Sequence, residues 1–140
     1  MVIEENKITL PSKPENISVI EHFIDDVCAE FNLSEEHYGN ILVAVTEAVN
    51  NAIMHGNKLN PQKKFQFSFQ QQNDELLFTV KDEGSGFDIN QVPDPTDPLN
   101  IENPHGRGIF LMQHLADKVE FNHNGSEVTL HFKISPVALN

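Results

Sequence analysis

Ser34-Glu-Glu-His-Tyr-Gly-Asn-Ile-Leu-Val-Ala-Val-Thr-Glu47-Ala-Val-Asn-Asn51-Ala-Ile-Met-His55-Gly-Asn57 is the stretch that sets the fold. Tyr38, Ile41, Leu42, Val45, Val49 and Ala52 recur at helical spacing and predict a helix with one buried side. Ser34 suits the N-cap, with Glu35 and Glu36 at the positive end of the helix dipole. Gly56 suits a C-terminal cap near His55-Gly56-Asn57. Glu47 and Asn51 are one turn apart and share a face, and Asn50 and His55 add polar atoms. Asparagines are poor helix formers. This is therefore either a solvated helix end or a carboxylate and an amide projecting together into a cleft. In the second case an Asn51 oxygen suits Mg²⁺, a hard cation that prefers oxygen. Glu47 could then orient or deprotonate a nucleophile.

Before this helix, Ile8 to Leu10 predicts a short strand, ended by Pro11 and Pro14. Ile17, Ile20, Phe23, Ile24, Val27 and Phe31 then predict a first helix, broken at Asn32-Leu33-Ser34. After it the period changes to two. Phe65, Phe67 and Phe69 alternate with polar residues, as do Leu76, Phe78 and Val80, with a turn at Asn73-Asp74. Residues 88 to 105 hold Pro93, Pro95, Pro98 and Pro104 and show no period, the mark of a functional or disordered loop. Ile109, Phe110, Met112 and Leu115 predict a third helix, and a closing hairpin turns around Asn124-Gly125. Helices first, then strands with one helix inserted, imply an α+β two-layer sandwich with a mainly antiparallel sheet. The chain, 140 residues long, reads as one domain with its core over about 8–134.

Three further stretches carry chemistry. Asp82-Glu-Gly84-Ser-Gly86 stops a strand; its glycines permit a plain turn or close approach of backbone to a ligand. A carboxylate such as Asp82 can accept a hydrogen bond from an exocyclic amine like that of adenine. In His105-Gly106-Arg107-Gly108, glycines at a helix start expose amide donors, and Arg107 offers a planar fork for phosphate. A helix-capping turn with a surface arginine explains it equally simply. Gly125-Ser126 by itself reads as a turn.

Nine Lys and Arg against 21 Asp and Glu give a formal charge of −12, which argues against direct nucleic-acid binding. No apolar run reaches the ~20 residues of a membrane helix. The acidic N-terminus is unlike a signal peptide, and the single Cys28 fits a reducing, cytoplasmic setting.

In order, Glu47-x-x-x-Asn51-Ala-x-x-His55, Asp82-x-Gly84-x-Gly86, a lid, Gly106-Arg107-Gly108 and Gly125-Ser126 resemble the ATPase superfamily of gyrase, histidine kinases and mismatch-repair proteins. Asp94-Pro-Thr-Asp-Pro with Asn103-Pro-His-Gly-Arg-Gly-Ile-Phe-Leu-Met is similar to the lid and Gly-Arg-Gly motif of the bacterial anti-sigma factor serine/threonine kinases. The resemblance spans about Ile8 to Ile134 and implies a Bergerat-type ATP-binding fold with ATP and Mg²⁺ as cofactors. It implies that Asn51 binds Mg²⁺, Glu47 is the general base, and Asp82 reads the adenine amine. Gly84 and Gly86 would let the chain pass close to the nucleotide. Gly106, Arg107 and Gly108 would hold the phosphates, and His55 belongs to the ATP-binding set. Ser126 stands where the family usually has Thr. The implied activity is binding a sigma factor and phosphorylating Ser/Thr of an anti-sigma antagonist protein, as a cytoplasmic homodimer. The strand at Ile8–Leu10 could pair across that interface. The alternative is an ATP-binding switch that sequesters a partner without phosphoryl transfer; a simple ATP hydrolase is a third reading.

Overall fold

The computed structural model describes residues 2–4, 6–86 and 104–134. Its elements are β1 (Val2–Glu4), β2 (Lys7–Pro11), α1 (Ile17–Glu30), α2 (Glu35–Asn51), β3 (Lys64–Gln72), β4 (Glu75–Lys81), α3 (Pro104–Leu115), β5 (Lys118–Asn122) and β6 (Glu127–Lys133). The six strands form one sheet in the order β1-β2-β3-β4-β6-β5. Every pairing is antiparallel. The crossover through α3 makes β5 run parallel to β4, but β6 lies between them, so no parallel pair forms.

Alternation decides which face is covered. Ile8 and Leu10, Phe65 and Phe67, Leu76, Phe78 and Val80, and Val128, Leu130 and Phe132 point inward and are buried. The buried stripes of α1 (Ile20, Ile24, Val27, Cys28) and α2 (Ile41, Ala44, Val45, Ala48, Val49) close over them. Edge-on ring contacts such as Phe23–Phe67 and Phe78–Phe132 knit the two layers and the sheet. Burial also pushes the Cys28 thiol up to about 11, with the Asp25 charge adding to it; this sulfur is a core filler.

Local chemistry fixes the helix ends. Asn32 adopts φ 52° and stops α1, as its place after the last apolar residue suggests. Ser34 caps α2, its side chain accepting from the His37 N–H at 3.2 Å. The expected cap at Gly56 is not formed. Past Asn51 the helix widens into a π-helical turn over Ala52–Gly56, closed by Asn57 N–H to the Ala52 carbonyl at 2.8 Å. The left-handed residues come later, at Lys58 and Leu59.

Asn57 is then buried as a junction. Its amide donates to Ser12 Oγ (2.6 Å) and the Lys64 carbonyl (3.0 Å), and its oxygen accepts from Glu83 N–H (2.8 Å). It ties β2, β3 and the turn after β4 to the end of α2. Asn57→Ala leaves the buried Ser12 hydroxyl and two part-buried backbone groups unpaired and should cost about 2–3 kcal/mol in a urea melt. A cost below about 0.5 kcal/mol would show that water replaces these bonds.

Two expectations change here. β1 was not foreseen. Because β1 and β3 flank β2, the strand at Ile8–Leu10 has no edge open for pairing with another chain. Of the expected lid, residues 88–103 lie outside the described residues, while Pro104 and His105 already belong to α3.

Candidate functional site

α2 runs beneath the sheet with Glu47 and Asn51 on the side that faces α3, and His55 follows in the π-helical turn. α3 reaches this face at Gly108. A Cβ there would lie 2.8 Å from Glu47 Oε2 and 3.5 Å from Asn51 Oδ1. With glycine here the start of α3 sits against both groups without displacing the flexible Glu47 carboxylate. Gly106 and Gly108 are buried in that turn, at the positive end of the helix dipole, and Arg107 between them is exposed.

Burial raises the Glu47 pKa above the usual carboxylate range, and the nearby Arg107 charge partly offsets this. A carboxylate tuned upward in this way holds a proton more readily once it has taken one. Burial lowers the pKa of His55, whose ring lines the pocket although the residue as a whole is exposed. The imidazole is therefore held toward its neutral form.

The other end of the crevice is built from the turn after β4. Asp82 N–H donates to the Ser126 carbonyl (2.9 Å), which locks the end of β4 to the start of β6. The Asp82 carboxylate accepts from Gly84 N–H at 2.7 Å. Burial raises its pKa; the Gly84 hydrogen bond and the Lys63 charge pull the other way. Gly56 lies so close that a Cβ would strike this carboxylate, which is why glycine is needed there. Gly84 packs likewise on the Gly56 carbonyl. Gly86, at φ 83°, lies against the Asn124 backbone of the β5–β6 turn. The Ser126 hydroxyl is engaged locally, donating to the His123 carbonyl at 2.9 Å.

Between these ends is a crevice with about 510 Å³ of empty space, counted out to the open solvent at its mouth. Asn51, His55, Asp82, Gly86 and Ser126 line it, with apolar walls from Ala52, Val80, Met112, Phe121 and Val128. Glu47, Gly106, Arg107 and Gly108 stand beyond it at the seam of α2 and α3, and Gly84 sits behind Asp82. The ten expected site residues thus fall around one groove. Ala48, Ala52, Gly56, Val80, Met112, Phe121 and Val128 were not expected in it. Their signals were weak, because glycine packing on a carboxylate and the apolar walls of a pocket read as ordinary turn and core.

The residues fit a nucleotide. A flat apolar slot ending in a single carboxylate suits an aromatic base with an exocyclic amine. Among the described residues no group of three or more His, Cys, Asp or Glu is placed to hold a metal alone. The Asn51 side-chain oxygen instead suits Mg²⁺, a hard cation that takes few protein oxygens and is otherwise held by phosphate oxygens and water. Gly108→Ala should favour α3 by about 1 kcal/mol through helix propensity. It should also push the Glu47 carboxylate aside and slow catalysis by about 10²-fold. An undiminished rate at raised thermal stability would show that Glu47 is not held by this contact.

The profile of the histidine kinase-like ATPase domain matches residues 10–132. The serine-protein kinase RsbW of Oceanobacillus iheyensis is 29% identical over 122 residues, covering 83% of this chain and 77% of the relative. That of Bacillus subtilis is 27% identical over 131 residues, covering 89% and 82%. A crystal structure of the RsbU and RsbW domains of a Mycobacterium tuberculosis protein superposes with a TM-score of 0.58 at 14% identity, covering 91% of this chain. This chain spans 31% of that longer one, and at such identity the likeness speaks for the fold alone. With residues 10–132 matched and the crevice formed as described, the chain belongs to the histidine kinase-like ATPase domain family, alongside the serine-protein kinases of the RsbW type.

Proposed function

We propose that this protein is a Mg-ATP-dependent serine/threonine kinase that also sequesters a sigma factor, its substrate being an anti-sigma antagonist protein. The observation that carries the reading is the closure of Gly108 on Glu47 and Asn51, with Asp82 at the other end of the same crevice. Glu47 takes the proton from the substrate hydroxyl as its oxygen bonds to the γ-phosphorus. The bond from that phosphorus to the ADP oxygen breaks in line. Asn51 would hold Mg²⁺, which neutralises phosphate charge when bound. Arg107 and the first turn of α3 face the same charge, which the acidic domain otherwise repels. Asp82 fixes the base, the neutral imidazole of His55 lines the wall, and Ser126 braces Asp82 through its backbone.

The RsbW relatives carry the name serine-protein kinase, and sequence likeness over most of their length supports the same chemistry here. No helix among the described residues is long and apolar enough to cross a membrane; action in the cytoplasm belongs to the same proposal. A homodimer is part of the same reading; with β2 flanked on both sides, pairing through the sheet would have to use β1 or β5. The test incubates purified protein with Mg-ATP and candidate antagonists. Phosphate on an antagonist Ser or Thr is expected. Tight partner binding with no transfer to any antagonist would replace the kinase with a nucleotide-controlled switch.

A further inference from the structure

The charges of this chain are segregated. From Asn16 to Asn57, across both α1 and α2, there is no Lys or Arg. Lys13, Lys58, Lys63, Lys64 and Lys81 are all exposed and lie in or next to the segments where β2 and β4 end and β3 begins. Ser12 N–H donates to the Lys63 carbonyl, and Asn57 joins Ser12 to Lys64. On the face of the sheet turned away from α1 and α2, Thr9, Gln66 and Lys81 stand in one cross-strand row. These residues and Lys64 line a shallow open groove with Asp82 and Glu83 at its end.

We propose that this groove docks an acidic segment of a protein partner, and that its occupancy is coupled to the nucleotide crevice. The occupant follows from charge complementarity. Lys64 and Lys81 in the groove, with the exposed Lys13, Lys58 and Lys63 beside it, outnumber the Asp82 and Glu83 carboxylates at its end, and Thr9 and Gln66 add hydrogen-bonding groups; the overall charge of −12 disfavours a long phosphate backbone, which would run past this small patch. The coupling path is short. The backbone of Lys64 is tied to the Asp82–Glu83 turn once directly and once through Asn57: its N–H donates to the Glu83 carboxylate, and its carbonyl accepts from the Asn57 amide whose oxygen accepts from Glu83 N–H. Asp82 lines both the groove and the crevice, and the Lys63 charge already reaches its carboxylate. The groove is at the Asp82 end, away from Glu47, so its occupant acts on nucleotide affinity rather than on the transferred phosphate. The coupling, unlike the docking, rests on the nucleotide reading.

The probe is a fluorescent glutamate decapeptide, titrated by anisotropy into the full chain at low and physiological salt. Lys64→Glu/Lys81→Glu should weaken binding by about tenfold or more. Lys118→Glu/Lys133→Glu, at the far end of the same face, should leave it unchanged. Saturating peptide should shift Mg-ATP affinity severalfold, and Mg-ATP should shift peptide affinity by the same factor. Equal loss in both double variants would overturn the groove, as would tighter binding of single-stranded DNA or anionic vesicles, or peptide-independent self-association through these lysines. Peptide binding with an unmoved ATP affinity would overturn the coupling. Failure of ATP to bind at all would instead strike the nucleotide reading and leave the docking result standing.

Discussion

Glu47→Gln should lower phosphoryl transfer to the antagonist by about 10²–10⁴-fold, the usual contribution of a positioned general base. Mg-ATP affinity should stay within about threefold, because the variant keeps the shape of the side chain and an oxygen toward Gly108. The same residue sets a pH profile. Burial raises its pKa, so wild-type kcat should fall on the acid side at a pH above the ordinary carboxylate range. The residual activity of the Gln variant should lack that limb. A kcat that follows the same acid limb in both proteins would assign the titration, and the base, to another group.

Asp82→Asn should weaken ATP binding by about 10–10²-fold, the range for losing a hydrogen bond to a charged partner. It should also make the empty protein more stable at neutral pH. The sign follows from the raised folded-state pKa of Asp82: its protonated form is the favoured one in the fold. That contribution is present below the unfolded pKa and is lost as pH rises through the folded one. At neutral pH the half-buried charge is a cost, which the amide removes while an oxygen can still accept from Gly84 N–H. The melting temperatures of variant and wild type should converge below about pH 3, under the unfolded pKa, where the carboxyl is protonated in both states. A variant that is less stable at neutral pH would mean that Asp82 is held mainly by its charge partners.

The two patterns strongest in the sequence were the ones the structure kept. Period-two phenylalanines at 65–69 placed β3, and the apolar stripe from Tyr38 to Ala52 placed α2, because burial of one face enforces each period. Ser34 and Asn32 were legible as helix boundaries because their side chains and left-handed tolerance act locally. Gly56 was misread for a physical reason. A glycine after a helix suggests a left-handed cap, yet here it makes room for Asp82, which is 26 positions away in sequence and next to it only in the folded chain. Asn57 escaped notice for the same reason, since its partners Ser12, Lys64 and Glu83 come from three other segments. β1 pairs through its backbone with β2, and three residues are too few to show a period. Of the site, the polar tips could be named from motif order, whereas the walls at Val80, Met112, Phe121 and Val128 needed the packed sheet and α3 to become a slot.

Competition calorimetry with ATP and GTP in the presence of Mg²⁺ tests the single crevice most directly. On the proposed reading the Asp82 carboxylate would accept from the amine of adenine and repel the carbonyl that guanine carries at that position. ATP should bind at one site per chain and GTP at least about tenfold more weakly, with the preference lost in Asp82→Asn. Equal heats for the two nucleotides, or none for either, would contradict it.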